Sequence, residues 1–463
     1  MKQVEALAIL KTGANVFLTG EPGSGKTFLI NEYVRYLRER NVPVAITAST
    51  GIAATHIGGM TIHSWSGLGI KKKLDGYELT KIASNEYIHK RITRAQILII
   101  DEISMLSAKT LTMVEAVCRE IKRNSLAFGG LQVILVGDFF QLPPIIKNDT
   151  SGPQVELFEN NFGHFAYDSP AWSRAKPLVC YLTEQFRQDD DNFLSVLSAI
   201  RGNYFDEEHF EQLAARKFLP KQAPKNALKL FSHNVDVDKL NNEMLAKIKS
   251  ESEIFEMLGE GPEHLVEILA KGCLSPEILE LKIGAEVMCT KNNMQAGFVN
   301  GTTATVVAFD PETNNPIIKT REGRAIMLAP MEWTMEENGR IRARLTQIPL
   351  RLAWAITVHK SQGMSLDEAV MDLASVFEYG QGYVALSRVR RLAGLYLLGW
   401  NERAFQVHPE ILKKDEKFRA ESSEAELAIN DLPLLEKQKL FDNFIYSCGG
   451  SAKVVMKKLK KKN

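Results

Sequence analysis

Short apolar runs punctuate the first half of the chain, each ending in a small or acidic residue. NVFLTG (15–20), VPVAITAS (42–49), ILIID (97–101) and QVILVGD (132–138) are continuous rather than alternating, as strands covered on both faces of a parallel sheet must be. After the first run, TFLINEYVRYLRER (27–40) carries apolar residues at helical spacing. A second set starts with ALKLFS (227–232) and continues with AVMDL (369–373) and GLYLLGW (394–400). The pattern predicts two α/β domains in tandem, over 1–180 and 181–405, with 406–463 as a C-terminal extension.

Two segments break the alternation. Residues 67–94 hold seven Lys or Arg (71, 72, 73, 81, 90, 91, 94) against three acids, which predicts a basic insert in the first domain. From about 293 to 350 the chain alternates between apolar and polar residues and is broken by turn residues (GFVNGTTATVVAFD, PETNNP), which predicts a small antiparallel β insert in the second. From about residue 420 the polar stretch ESSEAE leads into a short amphipathic helix. Its stripe is Leu434, Leu435, Leu440, Phe441, Phe444 and Ile445, and the chain ends KKLKKKN. No internal repeat is visible.

Composition narrows the class. With 463 residues, 45% hydrophobic and 24% charged, the chain matches an ordinary globular protein of roughly three domains' length. Disordered, collagenous and rod-like classes are excluded. The net charge of +1 says nothing about partners, because a nucleic-acid groove needs a basic face rather than a basic total. Five cysteines form no CxxC pair, which argues against a zinc site or a secreted disulfide scaffold and favours a reducing cytosol. No uncharged apolar run approaches the ~18 residues of a membrane span. Lys11 and Asn15 interrupt the N-terminal apolar stretch, which argues against a signal peptide. The expectation is a soluble cytoplasmic protein, nucleoid-associated if bacterial, with no membrane partner.

The candidate chemistry starts at Gly20-Glu-Pro-Gly23-Ser24-Gly25-Lys26-Thr27, which fits G-x-x-x-x-G-K-[ST] between a predicted strand and a predicted helix. Glycines let successive N–H groups face phosphate oxygens, and the following helix adds its positive end. Lys26 would reach the β- and γ-phosphates, and the Thr27 hydroxyl would hold Mg2+. Asp101-Glu102 closes the 97–100 run. The first carboxylate is placed to support the metal, and the second to orient or deprotonate the attacking water. Gln141, beyond a third strand end, could contact the γ-phosphate. These residues point to ATP hydrolysis.

Several further stretches fall in order: TASTGIAATHIGGMTIHSW (47–65), DEISM (101–105), GDFFQLPP (137–144), LTEQFRQ (182–188), FSHNVDVDKLN (231–241), AITVHKSQGMSLD (355–367) and GQGYVALSRVR (380–390). With GEPGSGKT (20–27) they make the chain resemble the petite-integration-frequency (Pif-type) helicases of superfamily one over about residues 3–412. The resemblance implies two RecA-like motor domains, with an SH3-like β insert in the second and the basic insert near the strand-separation point. It implies an ATP-driven motor moving 5′ to 3′ on single-stranded DNA, with forked or tailed duplexes as further partners; a monomer is one option for the working form, and the sequence leaves the oligomeric state open.

Residue by residue, the resemblance makes Arg187 and Arg388 the arginines that reach the γ-phosphate from the second domain. Gln3 takes the place of the adenine-reading glutamine, although the residues that precede it in the family are missing here. The DNA track would use Thr50, Gly51, His63 and Trp65 in the first domain, and Asn234, Thr357, His359, Lys360, Ser361 and Gln362 in the second. Hydroxyls, amides and backbone N–H groups would hold phosphates, and Trp65 could stack on a base. His56, Phe139 and Phe140 are expected to pack rather than bind. The alternatives are a RecD-like translocase subunit and a nucleotide-dependent binding switch without unwinding.

Overall fold

Burial on both faces selects the strands of the first sheet. The computed structural model describes the chain apart from residues 70, 72, 145–162, 220, 221, 223, 225, 226, 232–236, 294, 338, 339, 359 and 454–463, so the KKLKKKN tail lies outside it. Strands β1 (Val16–Gly20), β2 (Val44–Ala48), β3 (Met60–Thr61), β4 (Ile97–Asp101), β5 (Gln132–Val136) and β6 (Leu178–Leu182) form one parallel sheet in the order β3-β2-β4-β5-β1-β6. Every residue of β1 and β5 is buried, which is why these two runs carry no alternation. Because all six strands are parallel, the ends of β1, β4 and β5 open on the same edge.

The predicted boundary after residue 180 needs correction. It falls inside β6, which pairs with β1 along its whole length from Val16↔Leu178 to Gly20↔Leu182. The first domain therefore runs through Leu182.

A second parallel sheet of four strands, at Ala355–Thr357, Lys229–Phe231, Ala369–Leu373 and Leu395–Trp400, carries the second domain. The β insert is larger than predicted and begins at Ser252. Its five-stranded antiparallel sheet (286–289, 303–309, 316–320, 325–327, 350–352) encloses a separate apolar core. A three-stranded sheet pairs 331–337, 340–347 and 258–260, and a two-stranded one pairs 252–256 with 278–282. The basic insert is a pair of short helices, Gly76–Ala83 and Glu86–Arg94, capped by Asp75 and Asn85 and anchored by buried Ile82 and Ile92.

The C-terminal extension belongs to the first domain. The helix Pro409–Asp431 lies along β6 and along α1 (Gln3–Lys11), and its Ser422 hydroxyl accepts the backbone N–H of Tyr181 at 3.0 Å. Its Phe418 ring centroid sits 4.9 Å from that of Phe17 and packs with Trp172, Tyr167 and Phe139. The last helix, Leu434–Ser447, does not bury the predicted stripe. Ile445 is buried, whereas Leu434 is 84% and Leu435 69% exposed, since the helix touches α1 near its C-terminal end. Phe444 seals that end against Gly13, whose φ of +88° and missing Cβ allow the contact. Among the described residues, no helix is long and apolar enough to cross a membrane.

Because Phe418 fills the aromatic cluster under β1, Phe418→Ala should lower stability by about 3–5 kcal/mol. The measurement is the urea midpoint by circular dichroism. A separate tail would leave that midpoint unmoved.

Candidate functional site

The turn after β1 has to bring backbone N–H groups together, and its glycines allow it. Gly20, Gly23 and Gly25 have φ of +147°, +93° and +84°, and Gly25 caps α2 (Lys26–Glu39). Gly23 is also required by proximity, since a Cβ there would lie 2.5 Å from the Cβ of Arg187. The Phe186 N–H donates to the Gly23 carbonyl at 3.0 Å, and Gln185 donates to the Glu21 carboxylate at 3.2 Å. The segment leaving the first domain is thereby laid against the loop.

Lys26 Nζ donates to the Gly20 and Glu21 carbonyls at 2.8 and 3.0 Å. Burial lowers its pKa, against the opposing pull of Asp138 and Glu102. Ser24 is fully buried, and its hydroxyl is one of the described side chains without a hydrogen-bond partner. Thr27 stands exposed at the start of the helix. Gln3 donates through Nε2 to the Ser24 carbonyl at 3.3 Å, which places it on the loop.

Asp101 and Glu102 meet this loop from the end of β4. The Glu102 N–H donates to Asp101 Oδ1 at 2.9 Å, and Glu102 adopts a left-handed backbone (φ 53°, ψ 46°). For a residue with a Cβ that conformation costs of order 1 kcal/mol or more. Burial pushes the Asp101 carboxyl up to about 6 and Glu102 up to about 7, the latter helped by the charge of Asp101. Glu102 Oε2 accepts from Gln362 Nε2 at 3.1 Å, a hydrogen bond from the second domain. Gln141, 7% exposed, donates to Asp138 Oδ2 at 3.4 Å.

Two guanidiniums approach from the second domain. Burial pulls Arg187 down to about 9, with the charge of Arg388 adding to the effect, and pulls Arg388 down to about 10. Arg388 is held by the Val384 carbonyl and the Ser387 hydroxyl, both at 2.9 Å, and Arg187 by the Ser387 carbonyl at 3.4 Å. Lys26, Asp101, Glu102, Gln141, Arg187, Gln362 and Arg388 all line one cavity of about 630 Å³. Three partly desolvated cations with few anionic partners suit a polyanion such as a triphosphate.

The nucleic-acid candidates divide. Thr50 and Lys360 also line the cavity. Thr50 caps the helix Gly51–His56, accepting from the Ala53 N–H, and Gly51 lets that helix meet the insert, its Cβ position being 3.2 Å from the Gly272 Cα. Lys360 pairs with Asp238 at 3.6 Å, and its N–H donates to the Thr357 hydroxyl. The Ser361 hydroxyl is buried and donates to the Val358 carbonyl at 2.7 Å, so it fixes a turn instead of offering a free donor.

Trp65 needs correction, because at 2% exposure its ring is core and cannot stack on a base. His63 is half-buried, and burial lowers its pKa. Asn234 and His359 lie outside the described residues. Phe139 and Phe140 are buried. Sequence reasoning missed Lys291, Asn292, Asn300 and Trp333, which bring the β insert to the same cavity. The Lys291 ammonium lies 5.0 Å from the Trp333 ring centroid. A polar stretch, TKNN (290–293), directly after the strand EVMC (286–289) was the available signal.

Comparison with known proteins agrees with this geometry. Residues 1–202 match the family PIF1-like helicase, and 264–309 match DNA helicase Pif1, 2B domain. The chain is 40% identical to the ATP-dependent DNA helicase Pif1 of Psychrobacter sp. (strain PRwf-1), over 97% of this chain and 76% of that protein. It is similar to the crystal structure of Bacteroides sp Pif1 in complex with ADP-AlF4 (TM-score 0.77, 29% identity, 90% of this chain and 96% of that one). A Bacteroides Pif1 complex with ADP-AlF3 and ssDNA gives a TM-score of 0.61 at 28% identity, over 92% and 97% of the two chains.

The raised carboxyls carry a linkage consequence. Folded Glu102 binds a proton that the unfolded chain releases above its ordinary value of 4.5, so stability falls as pH rises toward about 7. Glu102→Gln should therefore raise the melting temperature of the nucleotide-free protein at pH 8, with a gain that shrinks toward pH 5. A gain independent of pH would show that Glu102 is not the titrating group.

Proposed function

Because the chain belongs to the PIF1-like helicase family and is an ATP-dependent DNA helicase, we propose that closure of this cleft on ATP drives it along single-stranded DNA. Travel from 5′ to 3′ is the direction known for the family. The observation that carries the reading is one cavity walled by the phosphate loop, both arginines and the β insert.

In this reading the loop N–H groups and Lys26 bind the β- and γ-phosphates. The Thr27 hydroxyl and the Asp101 carboxylate are hard oxygen donors and fit Mg2+, which when bound neutralises phosphate charge. Glu102, whose carboxyl titrates near neutrality, takes the proton of the attacking water. Arg187 and Arg388 counter the charge that develops on the γ-phosphoryl group, and Gln141 reports its presence. Gln3, on the loop beside Ser24, faces the base. These groups come from both α/β domains, so binding ATP draws the domains together and release lets them part.

The DNA backbone then runs over Thr50, Thr357 and Lys360, with Lys291, Asn292 and Asn300 contributed by the insert. Phosphates are the feature every sequence shares, and contacts to them suit a translocating motor. Gln362 joins track and cleft through its hydrogen bond to Glu102. The domains act as two RecA-like motors, the 67–94 helices as a wedge at the fork, and a single chain suffices. The structure of Bacteroides Pif1 with ssDNA, and that of two coordinating Pif1 helicases at forked dsDNA, support the DNA partners.

The test is steady-state ATP hydrolysis with and without a single-stranded oligonucleotide. Lys26→Ala should abolish the stimulated rate. Arg388→Ala should retain nucleotide binding and lose roughly 10³-fold or more in kcat. Hydrolysis indifferent to DNA would favour the nucleotide-dependent switch, and near-normal turnover of Arg388→Ala would remove its role.

A further inference from the structure

One buried charge lies outside the site just described yet touches it from both sides. Arg201, 2% exposed on the helix Asp191–Gly202, donates through Nη1 to both oxygens of Asp138, at 2.8 and 2.9 Å. Its Nε and Nη2 donate to the Tyr181 hydroxyl on β6, at 3.2 and 2.8 Å. Nη1 also donates to the Tyr383 hydroxyl at 3.3 Å, and the guanidinium carbon lies 4.1 Å from the Phe140 ring centroid. From the C-terminal helix, Asp415 lies 3.8 Å from Arg201, and Arg419 donates to Tyr181 at 2.6 Å.

The segments joined here are those that carry the nucleotide-facing groups. Asp138 also accepts from Gln141, on the cavity wall. Tyr383 belongs to the helix Gln381–Leu386, whose Val384 carbonyl holds Arg388. That helix starts at Gly380 (φ +76°), where a Cβ would fall 2.4 Å from the Phe140 carbonyl oxygen, so it rests on the backbone leading into Gln141. A buried ion pair is often no more stabilising than apolar residues of the same volume. What it adds is fixed geometry, because a planar fork with five donors accepts few arrangements.

We propose that Arg201 is a positioning residue for hydrolysis. Through Asp138 and Tyr383 it sets the register between Gln141 on the first domain and Arg388 on the second. The proposal rests on the motor reading above, and nothing in it requires Arg201 to touch nucleotide.

Arg201→Lys keeps the charge and removes the fork, and Tyr383→Phe removes one hydroxyl. Both are assayed for kcat and KM of DNA-stimulated ATP hydrolysis, for nucleotide affinity and for melting temperature, beside the wild-type chain. For Arg201→Lys we expect kcat to fall about ten- to hundredfold, in line with a misplacement of about 1 Å, while KM and nucleotide affinity stay within twofold. Tyr383→Phe should lower kcat at least threefold with an unchanged melting temperature, and it alone decides the matter if Arg201→Lys does not fold. A folded variant with wild-type kcat, or a loss confined to melting temperature, overturns the proposal. A wild-type chain whose hydrolysis ignores DNA overturns the motor reading and this proposal with it.

Discussion

Lys26, Arg187 and Arg388 are held in one cleft where burial lowers the pKa of each, and much of the fold exists to keep them there. Cations left to themselves would turn toward water or pair with the nearest carboxylate. Lys26 is instead tied to the carbonyls of its own loop, and Arg388 to the helix that bears it. The acids opposite are desolvated as well, which raises their pKa values and favours their neutral forms, so less negative charge stands opposite the cations. A site arranged this way is preorganised for a ligand bringing negative charge, and it stores its cost as raised carboxyls and a left-handed Glu102.

That arrangement needs two rigid platforms. The parallel sheet of the first domain aims β1, β4 and β5 at one edge. The second domain delivers its arginines on short segments whose geometry is set by neighbours. The C-terminal helix, reading as an appendage, braces β6 and supplies Asp415 and Arg419 to the network around Tyr181. Removing it would expose the face of the sheet on which Phe17 and Phe418 meet.

What could be read from the sequence divides along the range of the interactions. The phosphate loop and the Asp101-Glu102 pair were legible because they depend on local backbone geometry and spacing. The far edge of the first sheet was not: β6 is as apolar as β1, but nothing in LVCYL says which domain it joins. Trp65 sat in a motif and looked available, yet the helix Ile62–Ser66 turns its ring into the core. Arg201 was silent, since an arginine in an amphipathic helix reads as solvent-facing until Asp138, 63 positions away, is found beneath it. The insert's Lys291 and Asn292 precede the turn-rich alternation that marks the insert, and a short polar stretch alone does not say which cavity it reaches.

The hydrogen bond from Gln362 to Glu102 has a thermodynamic corollary. It spans the two domains, with one end near the proposed track and the other on the proposed base. Any ligand that favours one arrangement of this pair changes the affinity for the other ligand, and the exchange is symmetrical by necessity. If DNA tightens nucleotide binding by some factor, nucleotide must tighten DNA binding by the same factor. The helicase therefore cannot alternate its grip on the strand without alternating its hold on nucleotide. One amide and one carboxylate would then serve as the point where chemical and mechanical cycles are kept in step.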